Sequence, residues 1–406
     1  MENKDLKIEL TKSIEEQITK MKKNTGDNTP IRSMDYFYEA AKNIYRINNI
    51  DSSTPVVGTF CNMIPEELIL AVGAKPLRIC GGFQGTIPIS ESILPQVYCP
   101  LIKSSVGFFM KNMLNDLNML IVPTTCDGKK KAAEILAEKI TTLIMEVPHT
   151  IESPQARELW LREVMILKRN LTSHLSKKIT RKGLRQAIEK TNKKRALLRE
   201  LYELRKKNPP ILGADALLVT HMSFYSDLDS WITHTEALVN ELKVKEAVRE
   251  EPNLRVMLTG APVILPTWKI PLLIEESGGL IVMDDLCSGA KMLLRNCEVR
   301  SWNMYDMLIG LADYYLMSGC PCFVPNNTRI TRILNDIKDY QIDGVVYHNL
   351  SGCQLYGGEA WRVEKALKKQ DIPVLRLETS YGEGDIKQLK IRVDAFIEML
   401  EARKEV

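Results

Sequence analysis

The sequence feature that most constrains the fold is an alternation, from Pro55 onward, of short β-branched runs with amphipathic stretches of helix length. The short runs predict eight strands, at residues 56–60, 77–80, 119–122, 143–147, 254–258, 280–283, 344–347 and 374–377. Strands that alternate with helices form βαβ units, in which the sheet is parallel and the helices cover it. The chain is therefore predicted to be an α/β protein.

The eight strands fall into two groups, separated by a long stretch without strand signals. Between residues 153 and 208, Leu, Ile and Ala recur at three- and four-residue spacing, which predicts helices. The chain of 406 residues is longer than a single core usually supports. We expect a helical lead-in at 1–50, a first open α/β domain at 51–150, a helical subdomain at 151–250 and a second open α/β domain at 251–406. Both α/β domains are predicted to be flavodoxin- or Rossmann-like.

Charge and hydropathy exclude several classes of protein. The net charge of +4 is small for this length, so neither a nucleic acid nor a membrane is expected as a partner. One run, residues 177–207, holds thirteen basic residues against three acidic ones, and we interpret it as a solvated helix face. No apolar run of about 18 residues and no signal-peptide pattern occurs. We expect a cytoplasmic protein.

The nine cysteines are the residues most informative about function. Thiols stay reduced in the cytoplasm, so these are metal ligands, reactive thiols or packed apolar side chains rather than disulfides. No CxxC and no HExxH motif occurs, and the five histidines are scattered along the chain. Zinc-ribbon and zinc-protease sites are therefore excluded.

Three cysteines share a position relative to the predicted strands. Cys61, Cys126 and Cys353 each follow the carboxyl end of a strand, which is the edge at which open α/β sheets bind ligands. Cys126 also precedes a predicted helix and lies close to the three lysines at 129–131. A helix N-terminus and nearby cations both favour a thiolate, the form that binds iron.

The other candidates lie next to helices, strands and one another. Cys99 precedes a helical stretch, with Lys103 one turn in, and Cys287 lies just beyond a predicted strand. Cys320 and Cys322 form a CxC pair, which can give two thiolates to one metal centre.

For every one of these thiols the alternative is a small buried hydrophobic side chain. We favour that interpretation for Cys297 and Cys80, and we expect Cys61 to line a site rather than to bind a metal. The remaining six are candidate ligands of an iron–sulfur cluster, which cysteine thiolates hold and nearby backbone N–H groups tune. These six are Cys99, Cys126, Cys287, Cys320, Cys322 and Cys353.

Seven segments of the chain resemble one known family. They are GTFCNMIPEELILAVGAKPLRIC, YCPLIKSS, PTTCDGKKK, DLCSGAK, GCPCFVPN, SGCQLY and IRVDAFIEML. They look like segments of the 2-hydroxyacyl-CoA dehydratase and benzoyl-CoA reductase subunits, and DLCSGAK and GCPC resemble the double-cubane-cluster branch of that family. The resemblance covers most of the chain from Val56 onward and leaves residues 1–50 outside it.

The resemblance implies a cofactor and its ligands. In dehydratase-type subunits three cysteines hold one 4Fe-4S cluster, and these cysteines correspond to Cys99, Cys126 and Cys353. The resemblance to the double-cubane branch adds Cys287, Cys320 and Cys322. Six ligands suit an 8Fe-9S cluster, in which two cubanes share a bridging sulfide.

The resemblance also implies a function: an anaerobic, low-potential reductase that reduces small molecules and works as a homodimer. A separate ATP-hydrolysing iron–sulfur activator protein would supply the electrons, and this chain contains no P-loop GxxxxGK[ST]. Lys103 and the lysines at 129–131 would raise the potential of the cluster or steer the activator if they point inward; otherwise they are solvated helix residues. Two alternatives remain open: a 2-hydroxyacyl-CoA dehydratase subunit with one 4Fe-4S cluster, and a non-catalytic electron carrier or cluster-storage scaffold.

Overall fold

A computed structural model describes residues 3–25, 30–44, 54–114, 116–249 and 254–405. All eight predicted strands are present, with bounds within a few residues of the predicted ones. They are β1 (Val56–Thr59), β2 (Lys75–Arg78), β3 (Met119–Pro123), β4 (Thr142–Met145), β5 (Leu254–Gly260), β6 (Gly279–Asp285), β7 (Gly344–Leu350) and β8 (Val374–Thr379). They form two parallel four-stranded sheets, in the orders β2-β1-β3-β4 and β6-β5-β7-β8. The prediction of two open α/β units is confirmed.

The strand order places a crevice at the same point in both sheets. Every residue of β1, β3, β5, β6 and β7 is buried, as expected for parallel strands with helices on both faces. The order reverses between β1 and β3 in the first sheet and between β5 and β7 in the second. Loops leave such a switch point in opposite directions, which opens a crevice at the carboxyl ends of the strands.

Fifteen helices are found in the described residues. Two precede the first sheet and four accompany it: α1 (Asn3–Thr25), α2 (Met34–Lys42), α3 (Glu66–Ala71), α4 (Ile87–Ser90), α5 (Pro100–Met110) and α6 (Asp127–Ala137). Four follow in the predicted helical stretch: α7 (Pro154–His174), α8 (Arg181–Glu203), α9 (Gly213–Met222) and α10 (Leu228–Leu242). The second sheet carries α11 (Lys269–Glu276), α12 (Met304–Leu316), α13 (Asn327–Asp339), α14 (Gln354–Lys368) and α15 (Ile386–Lys404).

The helical lead-in packs against the body of the protein. Leu6, Leu10, Ile14 and Ile18 recur every four residues, form one apolar stripe on α1 and are almost fully buried. This stripe belongs to the hydrophobic core that also contains both sheets, and α1 contacts α2 and α11. The proposed domain boundaries near residues 50 and 250 lie outside the described residues, so the division into domains stays a prediction.

The basic run on α8 is only partly a solvated face. Arg195 is buried and forms an ion pair with Glu67 of α3 at 2.6 Å, and the adjacent Lys194 pairs with Glu66. The interpretation as a solvated face is wrong for these two residues, because their side chains are buried in ion pairs. The basic run alone does not reveal these pairs, because the carboxylate partners lie about 130 residues earlier in the chain. By contrast, Arg185 is largely exposed, as predicted.

The two sheets face one another at their carboxyl edges. The side-chain amide of Asn62, just after β1, donates a hydrogen bond to the carbonyl oxygen of Cys287, just after β6, at 2.8 Å. The Thr267 hydroxyl donates to the carbonyl oxygen of Gly82 at 2.7 Å. These contacts hold the two crevices together as one space. In the part of the chain described here, no helix is long and apolar enough to cross a bilayer.

Candidate metal centre

Eight of the nine cysteines line a single cavity of about 540 Å³, which lies where the carboxyl edges of the two sheets meet. They are Cys61, Cys80, Cys99, Cys126, Cys287, Cys320, Cys322 and Cys353. Cys297 lies elsewhere, buried in the core, as predicted. All six predicted ligands are therefore brought together, although they are spread over more than 250 residues of the sequence.

Each sheet contributes thiols from the ends of its strands. Cys61 and Cys80 follow β1 and β2 by two residues, and Cys287 follows β6 by two. Cys320 and Cys322 come from the loop between α12 and α13. The predicted location of Cys61 as a residue lining the site is confirmed. Cys80, which we interpreted as a core residue, also lines the cavity.

Three of the thiols stand at the N-termini of helices. Cys99, Cys126 and Cys353 are the N-cap residues of α5, α6 and α14. The backbone N–H of Lys129 donates to the Cys126 sulfur at 3.4 Å. The N-terminal turn of a helix offers unpaired N–H groups and a partial positive charge, so it stabilises an anionic sulfur.

Gly352 allows two of these thiols to approach one another. Its φ of +77° is readily adopted only by glycine, and a Cβ there would lie 2.3 Å from the Val97 carbonyl oxygen and 3.3 Å from the Cys99 nitrogen. The turn before Cys353 therefore packs directly against the segment before Cys99. The glycine of the Ser351-Gly352 pair makes this close backbone contact possible.

Burial opposes the ionisation of most of these thiols. It raises the pKa of Cys99 to about 12 and that of Cys353 to about 11. Burial also raises the pKa of Cys126, although Lys129 and its backbone N–H lower it. The helix start and Lys129 therefore favour the thiolate of Cys126, as expected from the sequence, but desolvation outweighs them in the thiol by itself. Metal binding deprotonates a coordinating thiol outright, so ionisation would accompany binding.

The CxC pair contains the one cavity thiol for which a lowered pKa is found. Cys320 accepts a hydrogen bond from Cys322, which lowers the pKa of Cys320 to about 6 despite burial and raises the pKa of Cys322. Lys291 and Lys129 add to the lowering at Cys320. The Cys322 thiol therefore stabilises negative charge on the Cys320 sulfur.

Lys129 is the lysine that points inward. Burial alone would lower its pKa, but the neighbouring Cys61, Cys126, Cys80 and Cys320 together raise it above the ordinary value. Among the described residues no carboxylate forms an ion pair with Lys129. The thiols are therefore its available counter-ions, and its ammonium offers a positive charge to a negatively charged occupant of the cavity.

The other lysines singled out from the sequence do not share this position. Lys103 forms an ion pair with Glu91 at 2.8 Å and does not line the cavity. Lys130 is at the rim, paired with Asp127 at 2.6 Å, and Lys131 is exposed. Of this group, Lys129 is the lysine that lines the cavity without forming an ion pair with a described carboxylate.

Sequence reasoning missed two buried groups beside Cys287. The Tyr356 hydroxyl lies 3.0 Å from the Cys287 sulfur, and the Lys291 ammonium lies 3.4 Å from the same hydroxyl. Lys291 also lies 3.9 Å from the buried carboxylate of Asp285. The sequence signal that could have found Tyr356 is its spacing from Cys353. It lies three residues after this N-cap cysteine, within the first turn of α14 and on the cavity side.

The donor set fits an iron–sulfur cluster. Eight thiols line the cavity against one carboxylate, Asp127, and one imidazole, His149. Within the described ranges, no three His, Cys, Asp or Glu side chains converge closely enough to hold a single metal ion. In an iron–sulfur cluster separate irons take separate thiolates, so thiols dispersed around a large cavity suit that group.

Comparison with known proteins identifies the family. The family model of the 2-hydroxyglutaryl-CoA dehydratase, D-component, matches residues 61–400. The chain belongs to this family. The match includes all nine cysteines and every strand of the two sheets except β1, which lies just before it.

Relatives within the dehydratase D-component family carry the names of different enzymes. The chain is 35% identical to "Putative dehydratase subunit YjiM" of Escherichia coli (strain K12), over 85% of this chain and 91% of the relative. It is 20% identical to a benzoyl-CoA reductase subunit of Thauera aromatica, over 86% and 92%. It is 21% identical to the beta subunit of (R)-2-hydroxyglutaryl-CoA dehydratase of Acidaminococcus fermentans, over 85% and 92%. Membership of the family therefore supports an enzyme subunit, while the named reactions include both dehydration and reduction.

Proposed function

We propose that this chain is an iron–sulfur protein that reduces small molecules at low potential. The observation that carries the proposal is the convergence of eight thiols on one cavity between the two sheets. We assign six of them, Cys99, Cys126, Cys287, Cys320, Cys322 and Cys353, as ligands of a double-cubane 8Fe-9S cluster. When bound, such a cluster supplies electrons one at a time at low potential.

The protein's own groups prepare this cavity for a negatively charged cluster. Lys129 and Lys291 bring two ammonium groups to the thiols, and both groups stabilise added negative charge. Tyr356 orients the Cys287 sulfur through its hydroxyl. Apolar side chains, among them Ile102 and Ile264, complete the wall. They keep water away and strengthen each of these electrostatic interactions.

The proposal includes partners. We propose that a separate ATP-hydrolysing iron–sulfur activator protein delivers the electrons, and that the chain acts as a homodimer in an anaerobic cytoplasm. The relatives that are named as enzyme subunits support an assembly of more than one chain. Full loss of substrate reduction without the activator and ATP is the expected behaviour.

A second candidate is a 2-hydroxyacyl-CoA dehydratase subunit with one 4Fe-4S cluster. Two observations favour it: the names of two of the relatives, and the grouping of Cys99, Cys126 and Cys353. These three are the helix N-cap thiols, and Cys99 and Cys353 interact electrostatically with each other and with Cys126. In this candidate, Cys287, Cys320 and Cys322 bind no iron.

Iron and acid-labile sulfide per chain distinguish the two candidates. The protein is purified anaerobically together with the Cys287→Ala and Cys322→Ala variants. The matched control is Cys297→Ala, which removes a buried thiol that does not line the cavity. The double-cubane proposal predicts about eight irons with slightly more sulfide, lower in both cavity variants and unchanged in the control.

Other results would point elsewhere. About four irons, unaffected by Cys287→Ala and Cys322→Ala, would refute the six-ligand assignment and favour the dehydratase subunit. Equal iron loss in all three variants would mean that loss of a buried thiol, rather than loss of a ligand, lowers the iron content.

A further inference from the structure

A second, smaller cavity of about 150 Å³ adjoins the cysteine cavity. It runs along the edge of the first sheet, from Lys75 at the start of β2 to the residues just beyond the carboxyl ends of β1 and β2, and α8 and the segment that follows α9 close it. Three residues, Cys61, Asn62 and Arg78, line both cavities. They form the wall between the space that we assign to the cluster and a pocket that has room for a few heavy atoms only.

Arg78 is the unusual member of this wall. It is only 7% exposed, and within the described ranges no carboxylate forms an ion pair with it. Its Nη1 donates to the Asn62 side-chain oxygen at a long 3.4 Å, and its guanidinium also donates to the Cys80 sulfur. The guanidinium stacks over the Phe224 ring at 4.3 Å, and its Nε has no hydrogen-bond partner. A buried cation is stable only when hydrogen bonds or an anion compensate its lost hydration.

The remaining charges of the small cavity leave an excess of positive charge. Arg195 is paired with Glu67, and Glu66 is paired with Lys194, so these charges are already balanced. Lys75, at the other end of β2, lines the cavity and interacts electrostatically with Asp227, which lines it too, and Lys190 is paired with Asp229. Arg78 is therefore the buried cation of this cavity that forms no ion pair with a described carboxylate, and Glu66, which interacts with it electrostatically, is already paired with Lys194.

We propose that this cavity binds a small planar oxoanion, such as a carboxylate of a few heavy atoms, on the guanidinium of Arg78. A guanidinium presents paired N–H donors in one plane, which match the two oxygens of such an anion. Cys61 and Asn62 then separate the bound anion from the cysteine cavity. Binding of the anion stands on this geometry alone; its role as the substrate, or as the acid group of the substrate, rests on the proposed function.

The test compares acetate with acetamide, its neutral isostere, by isothermal titration calorimetry at constant ionic strength on the anaerobically purified protein. The wild type is expected to bind acetate and not acetamide. Arg78→Gln should weaken acetate binding by at least about tenfold, because it removes a charge-assisted hydrogen-bonding pair. Arg78→Lys keeps the charge and loses the planar pair of donors, so its affinity for acetate should lie between those of the wild type and Arg78→Gln.

Lys193→Gln is the matched control. It removes a positive charge from the same region of α8, but Lys193 pairs with Glu236 in solvent and does not line the cavity. Its affinity for acetate should equal that of the wild type. Equal binding of acetate and acetamide, no binding of either, or full binding by Arg78→Gln would each overturn the assignment.

Iron content is measured on the same samples, so that failure of this inference and failure of the proposed function are told apart. Selective acetate binding in a sample without iron would support the pocket and count against the cluster. If Arg78→Gln loses iron as well as acetate binding, its result is ambiguous, and acetate binding is then measured on Lys75→Gln. Weaker acetate binding with full iron in that variant supports the pocket, and unchanged binding overturns it.

Discussion

Replacing Tyr356 by Phe tests whether the protein tunes its cluster through Cys287. The Tyr356 hydroxyl lies 3.0 Å from the Cys287 sulfur. A ligating thiolate carries no proton, so the hydroxyl must be the donor in the loaded protein. The substitution removes that one hydrogen bond and keeps the ring, which is buried between Lys291 and Arg329, each 5.3 Å from its centroid.

The expected effect is a lower reduction potential. Reduction adds negative charge to the cluster, so the hydrogen bond is stronger in the reduced state and its loss destabilises that state more. A hydrogen bond to a charged acceptor contributes about 1.5–3 kcal/mol, and we assign about 0.5–1.5 kcal/mol to the difference between the two redox states, because sulfur is a weak acceptor. For one electron, about 1.4 kcal/mol corresponds to about 59 mV, so the potential should fall by about 20–60 mV.

The assay is an anaerobic redox titration followed by electron paramagnetic resonance, with iron content as the check that the cluster is intact. Tyr314→Phe is the control, because Tyr314 is also buried but donates its hydroxyl to the Met292 carbonyl oxygen, outside the cysteine cavity. A potential that is unchanged or higher in Tyr356→Phe, at full iron content, would refute the argument that this hydroxyl stabilises the reduced cluster.

Two further predictions concern stability. In a denaturant titration, Glu67→Gln should lower the free energy of unfolding by about 3–5 kcal/mol, because it leaves Arg195 buried without its counter-ion. Glu236→Gln is the control: it breaks the exposed pair with Lys193 and should change the free energy of unfolding by less than about 1 kcal/mol. Burial raises the pKa of Glu275 to about 7, so the folded state favours the protonated form, and this contribution is lost as the pH rises from about 4.5 to about 7. Glu275→Gln should therefore remove on the order of 3 kcal/mol of pH dependence across that window, and an unchanged slope would contradict the burial argument.

The fold was predictable because its determinants are local. The β-branched runs correctly predicted β1 to β8, since a strand buried on both faces must be apolar along its whole length. Helix starts are harder to predict: α14 begins at Gln354, and its first turn contains polar and glycine residues that show no apolar period. The order of the strands in each sheet could not be predicted from the sequence, since it depends on which strands pair rather than on any one segment.

The candidate site was predictable in its residue types and not in its geometry. Position after a strand or before a helix identified Cys99, Cys126 and Cys353, because backbone topology carries such positions to one edge of a sheet. Cys80 looked like a core residue because the apolar run before it gives no sign of the cavity beyond. The role of Arg78 could not be recognised at all, since forming no ion pair with any described carboxylate is a property of the folded surroundings.

The arrangement of the two sheets explains how one cavity can receive thiols from such distant parts of the chain. Each sheet has the same strand order and therefore opens at its own switch point, between β1 and β3 or between β5 and β7. Either crevice alone is lined from one side. Because hydrogen bonds such as that from Asn62 to the Cys287 carbonyl hold the two edges face to face, strand-end residues of both units surround one buried volume. A cluster held by both units would then tie them together, so its loss should loosen the contact between the sheets more than the packing within either one.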